Sequence, residues 1–245
     1  MPLVSSSTAA DWRWVVRVFA LGAMLVASAG CLGPAPPDGM PHPSYLNREM
    51  IRSPVVHLEL VSVDDEPIPE EPLRRALARL ETHIAGRFEV AGTGSLGLDE
   101  SWDGILPRGR VHDASIAPSL TRVSLVFARR VAGDSRGVFM RMDDDWQQVL
   151  FSSSRIEETA GPFFPLEQVW EFVIFHELAH ALGVPESPDH RWHAGHCTKP
   201  DCALYPRIDA RALTTAILRL GPPMDLCHLC AGELRAVRSD PETGG

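Results

Sequence analysis

Between Pro165 and Gly183 the chain reads PLEQVWEFVIFHELAHALG, and no other stretch limits the possible folds as strongly. Val169, Trp170, Phe172, Val173, Ile174 and Phe175 cover nearly every side of a helical wheel. A helix without a polar face has to be surrounded by protein. Pro165 suits a first helical turn, and Glu167 and Glu171 follow near the positive end of the helix dipole. Gly183 can take the left-handed conformation that ends a helix, and Pro185 bars its continuation. The pattern therefore predicts a buried helix that carries His176, Glu177 and His180 into the interior. Polar groups placed there must find partners.

A metal ion would satisfy them at once. Histidines four residues apart project from one face of a helix, so His176 and His180 can share a Zn²⁺ and leave positions for a third protein ligand and a water. Glu177 stands where a carboxylate can take a proton from that water as it attacks a carbonyl. His-Glu-x-x-His on a helix is the zinc metalloprotease pattern.

Upstream, the elements read in order. Residues 1–30 have the form of an export signal: Arg13 and Arg17, an apolar run from Val18 to Val26, then Ala27-Ser28-Ala29-Gly30. Cys31 directly after them resembles the lipidated cysteine of a bacterial lipoprotein, which would tether the chain to a membrane without a spanning helix. Residues 31–53, rich in proline, read as a linker, and the folded domain is expected over 54–245. Val55–Val61 alternates as a strand, Glu71–Ile84 has the period of an amphipathic helix, and Arg87–Val90 is a short strand. Residues 91–119 read as a long loop. Strands follow at Val123–Ala128, Val138–Met142 and Val149–Phe151, the last two joined through Asp143-Asp144-Asp145. This order fits an α+β fold, a twisted mixed sheet packed on the metal helix. His57, His83 and His112 occur singly and read as structural or surface residues. With a net charge of −9 and no basic patch, the chain lacks the footprint of a nucleic-acid binder; the acidic surface serves solubility.

Downstream, His190, His193 and His196 fall within seven residues, each a candidate third ligand. Cys197-x4-Cys202 and, 24 residues later, Cys227-x2-Cys230 form two close thiol pairs. Such pairs suit a closed, structural zinc site, with disulfides the alternative in an exported chain. A helix is expected over 209–218 and a turn at 221–223.

HExxHxxG, a His-Cys pair, Cys-x4-Cys and Cys-x2-Cys, in this order, resemble the archaemetzincins, a branch of the metzincin metalloproteases. The match covers residues 176–230. The resemblance implies a zincin-type fold with a smaller zinc-stabilised C-terminal part and two zinc ions. It assigns a catalytic zinc to His176, His180 and His196, the base to Glu177, and a second zinc to Cys197, Cys202, Cys227 and Cys230. The chain departs from the family pattern in two places. Glu186 stands where the family has its third histidine, so an inserted loop from Glu186 to Gly195 would deliver His196, with His193 and His190 as rivals. Leu204 stands where the family has a methionine beneath the metal, followed by Tyr205, whose hydroxyl is a candidate to assist an oxyanion. The expected function is a zinc peptidase acting on peptides or proteins, tethered to the bacterial envelope. The rival is a zinc-binding module with this fold and no turnover, which would have no need of a glutamate at position 177.

Overall fold

The computed structural model describes residues 46–97, 104–105, 121–133, 136–143, 146–160, 164–192, 195–205 and 223–240. The expected export signal, Cys31, His112, His193 and the helix at 209–218 lie outside these residues, as does most of the 221–223 turn. In chain order the elements are α1 (Arg48–Arg52), β1 (Val55–Val63), α2 (Glu70–Leu80), β2 (Arg87–Leu96), β3 (Arg122–Ala128), β4 (Gly137–Asp143), β5 (Trp146–Ser152), α3 (Ser153–Thr159), α4 (Leu166–Ala181) and α5 (His228–Ser239). The strands form one mixed sheet in the order β2-β1-β3-β5-β4. All neighbours are parallel except β4, which pairs with β5 antiparallel at one edge.

Strand side chains alternate between faces, and the burial follows that parity. Val56, Leu58 and Leu60 of β1, Val123, Leu125 and Phe127 of β3, and Val149 and Phe151 of β5 join one core with α2 and α4. Their neighbours Val61, Val63, Val126, Ala128 and Leu150 make a separate cluster. A one-residue slip would exchange the two sets, so the register is held by both. Phe127 and Phe151 stack with ring centres 5.0 Å apart, and Trp170 of α4 lies 6.1 Å from each. These three rings lock α4 against the centre of the sheet. A polar row crosses β1, β3 and β5 at Glu59, Ser124 and Gln148, all buried, with the Ser124 hydroxyl donating to Glu59 at 2.8 Å.

On its other side α4 is gripped by α2. Arg75 and Arg79, one turn apart, donate to the two carboxylate oxygens of the buried Glu171 at 2.7 and 2.8 Å. The α4 helix ends where expected, with Gly183 at φ +87°.

The structure departs from the sequence reading in four places. The fold begins before residue 54, since Leu46, Met50 and Ile51 are buried. There Asn47 donates its backbone N–H to Leu182 at 3.0 Å, and Arg52 reaches the Val237 carbonyl of α5 at 2.9 Å. Proline content upstream masked this short apolar triplet. The strand beginning at Arg87 continues through Leu96, into the segment read as loop. It lies at the sheet edge with mostly exposed side chains, so backbone pairing to β1 sustains it without an apolar pattern. Helices α3 and α5 were not anticipated; α5 buries Cys230, Ala231, Leu234 and Val237 along one face. No helix among the described residues is long and apolar enough to cross a membrane.

Candidate active site

The α4 helix brings His176 and His180 to one face, and the returning chain sets His196 against them. The Nε2 atom of His176 lies 3.2 Å from that of His180 and 3.3 Å from that of His196. Three nitrogens bound at about 2.0–2.1 Å to one tetrahedral ion would stand about 3.4 Å apart. The rings are therefore placed as a shared Zn²⁺ requires. The His176 Nδ1–H donates to the Ala203 carbonyl at 2.7 Å, which fixes the tautomer and leaves Nε2 with a lone pair turned to the centre. Burial, and then the neighbouring His196, push His176 down to about 3. Burial also drives His180 well below its ordinary value. Both are neutral near pH 7, the form that binds metal.

Glu177 reaches β4. Its Oε2 accepts the Phe139 backbone N–H at 2.9 Å. Burial raises its carboxyl to about 7, opposed by that hydrogen bond. The approach is close because Gly137 has no side chain: a Cβ there would stand 2.6 Å from Glu177 Cγ. Glycine within a strand often marks such a close approach, and that was the available sequence signal for this residue. The Phe139 N–H and the Ala203 carbonyl are backbone groups, for which a sequence carries no such signal.

A second cluster is built beside the first. Cys197, Cys202, Cys227 and Cys230 are buried, unpaired as disulfides, and have sulfurs within 4.8 Å of one another. Cys197 Sγ is 3.7 Å from Cys227 Sγ, and Cys202 Sγ is 3.8 Å from Cys230 Sγ. Sulfurs at about 2.3 Å from a tetrahedral zinc would be about 3.8 Å apart, whereas a disulfide requires about 2.0 Å. Backbone N–H groups of Lys199 and Cys227 donate to the sulfurs of Cys197 and Cys202, each at 3.4 Å. Hydrogen bonds from Cys202 and Cys230 push the Cys197 thiol down, and the same contacts push Cys202 and Cys230 up. The donor set suits a closed zinc site better than the disulfide alternative.

Of the rival third ligands, His190 is buried away from the triad, with Nε2 3.5 Å from Glu233, and His193 lies outside the described residues. His83 pairs with Asp225 at 2.7 Å. Leu204 is fully buried, and Tyr205 is half-buried. Glu233 escaped the sequence reading, although it lies one turn beyond Cys230 on the same helix.

The chain matches no protein-family model and no curated protein. Among solved structures it is similar to the archaemetzincin from Methanopyrus kandleri, with 16% identity and a TM-score of 0.49 over 76% of this chain and 97% of that one. It is also similar to metalloproteinase-II from Bacteroides fragilis, with 10% identity and a TM-score of 0.45 over 89% of this chain and 60% of that one.

Proposed function

We propose that the chain is a zinc-dependent peptidase that hydrolyses peptide or protein substrates. In this reading His176, His180 and His196 hold a catalytic zinc, and Cys197, Cys202, Cys227 and Cys230 hold a structural one. The observation that carries it is the convergence of the His176, His180 and His196 ring nitrogens, two of the rings buried and one half-buried, on a helix that also carries Glu177, whose carboxylate is held by the neighbouring strand. A zinc ion in the histidine set would supply Lewis acidity, polarising a carbonyl and acidifying water.

The remaining work falls to the chain's own groups. Glu177 takes the proton of the attacking water and hands it to the leaving amine. Burial puts its proton affinity near neutrality, where it can both accept and release. The Phe139 N–H fixes where the carboxylate points, and the Ala203 carbonyl fixes the His176 ring.

Glu177→Gln keeps the size of the side chain and removes its ability to accept a proton. Zinc content is expected to stay at the wild-type value while cleavage of a peptide library falls by roughly 10²–10⁴-fold. Full cleavage by this variant would defeat the mechanism. A wild-type protein that binds zinc and cleaves nothing would point to the binding module.

The reading extends to location. Arg13, Arg17, the apolar run from Val18 to Val26 and the small residues before Cys31 support export and lipidation of Cys31. Cys31→Ala should then abolish lipid labelling and move the protein out of the membrane fraction. Unchanged membrane association would refute that anchor.

A further inference from the structure

At Glu186, where the archaemetzincin pattern has its third histidine, the chain instead begins a detour that returns with His196. The detour is not held by its own sequence alone. Its exit from α4 is gripped by Glu233 of α5, whose two carboxylate oxygens accept the backbone N–H groups of Glu186 at 2.9 Å and Ser187 at 2.8 Å. The side chain of Glu233 is only 14% exposed and faces the buried His190 ring across 3.5 Å. The two arms of the detour then pair. Trp192 N–H donates to His196 O at 2.7 Å, and Thr198 N–H donates to His190 O at 2.8 Å. Arg191 and Cys197 form an antiparallel bridge. The far end closes at Cys197, whose sulfur sits against Cys227 at the N-terminal cap of α5.

Thus α5 holds the detour at both ends, by a carboxylate at the start and by the thiol cluster at the finish. His196 stands between the two grips, one residue from the second. We propose that Glu233 is a positioning residue for the third metal ligand, acting through the 186–190 turn to set His196 against His176 and His180. This rests on the reading of the three histidines as a metal site. The mechanism is a reduction in the freedom of the loop. A histidine on a loop of this length would bind a metal only after the loop was ordered, and that ordering cost would be subtracted from affinity. Two backbone hydrogen bonds to a half-buried carboxylate, each charge-assisted, order the turn beforehand. Partners that orient a ligand from behind in this way typically contribute ten- to a hundredfold in metal affinity.

The test measures metal affinity and not turnover. Full-length wild type, Glu233→Gln and Glu233→Ala are prepared with the four-cysteine site filled, and zinc binding at the histidine site is read by competition with a chromophoric chelator. Cobalt substitution gives a second readout, because the visible bands of a histidine-bound ion report its ligand set separately from thiolate absorption. The expected result is a loss of roughly ten- to a hundredfold in zinc affinity at the histidine site, with an altered cobalt spectrum there and an unchanged thiolate band. The isosteric Glu233→Gln keeps the volume and one carbonyl oxygen while placing an amide nitrogen against a backbone N–H, so it decides the matter if Glu233→Ala folds poorly. Unchanged affinity in Glu233→Gln would overturn the proposal. Equal loss of zinc from both sites would also overturn it, since Glu233 would then support α5 and not the ligand. A wild-type protein that binds no metal at the histidines would fail at the earlier step, the metal site itself.

Discussion

Replacing Gly137 by alanine tests the placement of the proposed base without touching a proposed ligand. The added Cβ would lie 2.6 Å from Glu177 Cγ, 2.9 Å from Oε1 and 3.0 Å from Cδ. Ordinary contact between such atoms begins near 3.5 Å, so about 1 Å of movement is needed. The backbone of Gly137 has no left-handed φ, so alanine is compatible with the strand itself. All three crowded atoms belong to Glu177, and the strand is pinned by its pairing with β5. The carboxylate must therefore give way, weakening its 2.9 Å bond to the Phe139 N–H. Misplacing a reacting group by about 1 Å costs roughly a hundredfold in rate, or about 2.7 kcal/mol on the barrier. The expected outcome for Gly137→Ala is a kcat near one hundredth of wild type on a cleaved peptide, with zinc content and KM little changed. A kcat within about threefold of wild type, in a variant that retains its zinc, would refute the argument that this glycine exists to admit the base.

Two further outcomes are expected. Glu171→Gln removes the charge that Arg75 and Arg79 share; because Arg75 and Arg79 are 30% and 45% exposed, the cations left behind can hydrate. The cost should be about 1–3 kcal/mol, and not the larger penalty of stranding a buried charge, which a shift in thermal midpoint of roughly 3–9 °C would register and an unchanged midpoint would refute. The metal-free protein should lose stability in acid, since His176, held to about 3, and His180, held well below its ordinary value, stay neutral when folded and gain protons below about pH 6.5 when unfolded. Glu177, raised to about 7, acts in the opposite sense between about pH 4.5 and 7. Each histidine contributes a slope of about 1.4 kcal/mol per pH unit and the single carboxyl opposes with the same slope, so the pair prevails between pH 4.5 and 6.5. Urea midpoints measured across that window on metal-free wild type and His180→Gln should show a shallower slope in the variant, and equal slopes would refute the assignment.

Much of this molecule can be read from local pattern. The apolar run before His176 required a buried helix, and the apolar segments at β1, β3 and β5 announced strands of a sheet packed on it, while the second covered face of that sheet emerged only in the structure. Two helix histidines and two close cysteine pairs stood out by spacing as candidate metal ligands, because ligand chemistry is a property of side-chain type and short-range separation, while the third histidine stayed among His190, His193 and His196. Tertiary structure decided what depends on distant chain segments meeting. The edge strand β2 runs to Leu96 because β1 offers a backbone ladder, a partnership invisible in a glycine-rich sequence. His196 meets His176 while His190 turns to Glu233, although the residues are only six apart, because pairing within the detour and its two grips on α5 set the path of the loop. The importance of Gly137 follows from the antiparallel edge strand lying against α4, which places a missing side chain where Glu177 needs room. Residue type and periodicity act over one or two turns of chain; which buried group faces which is set by the packing of elements far apart in sequence.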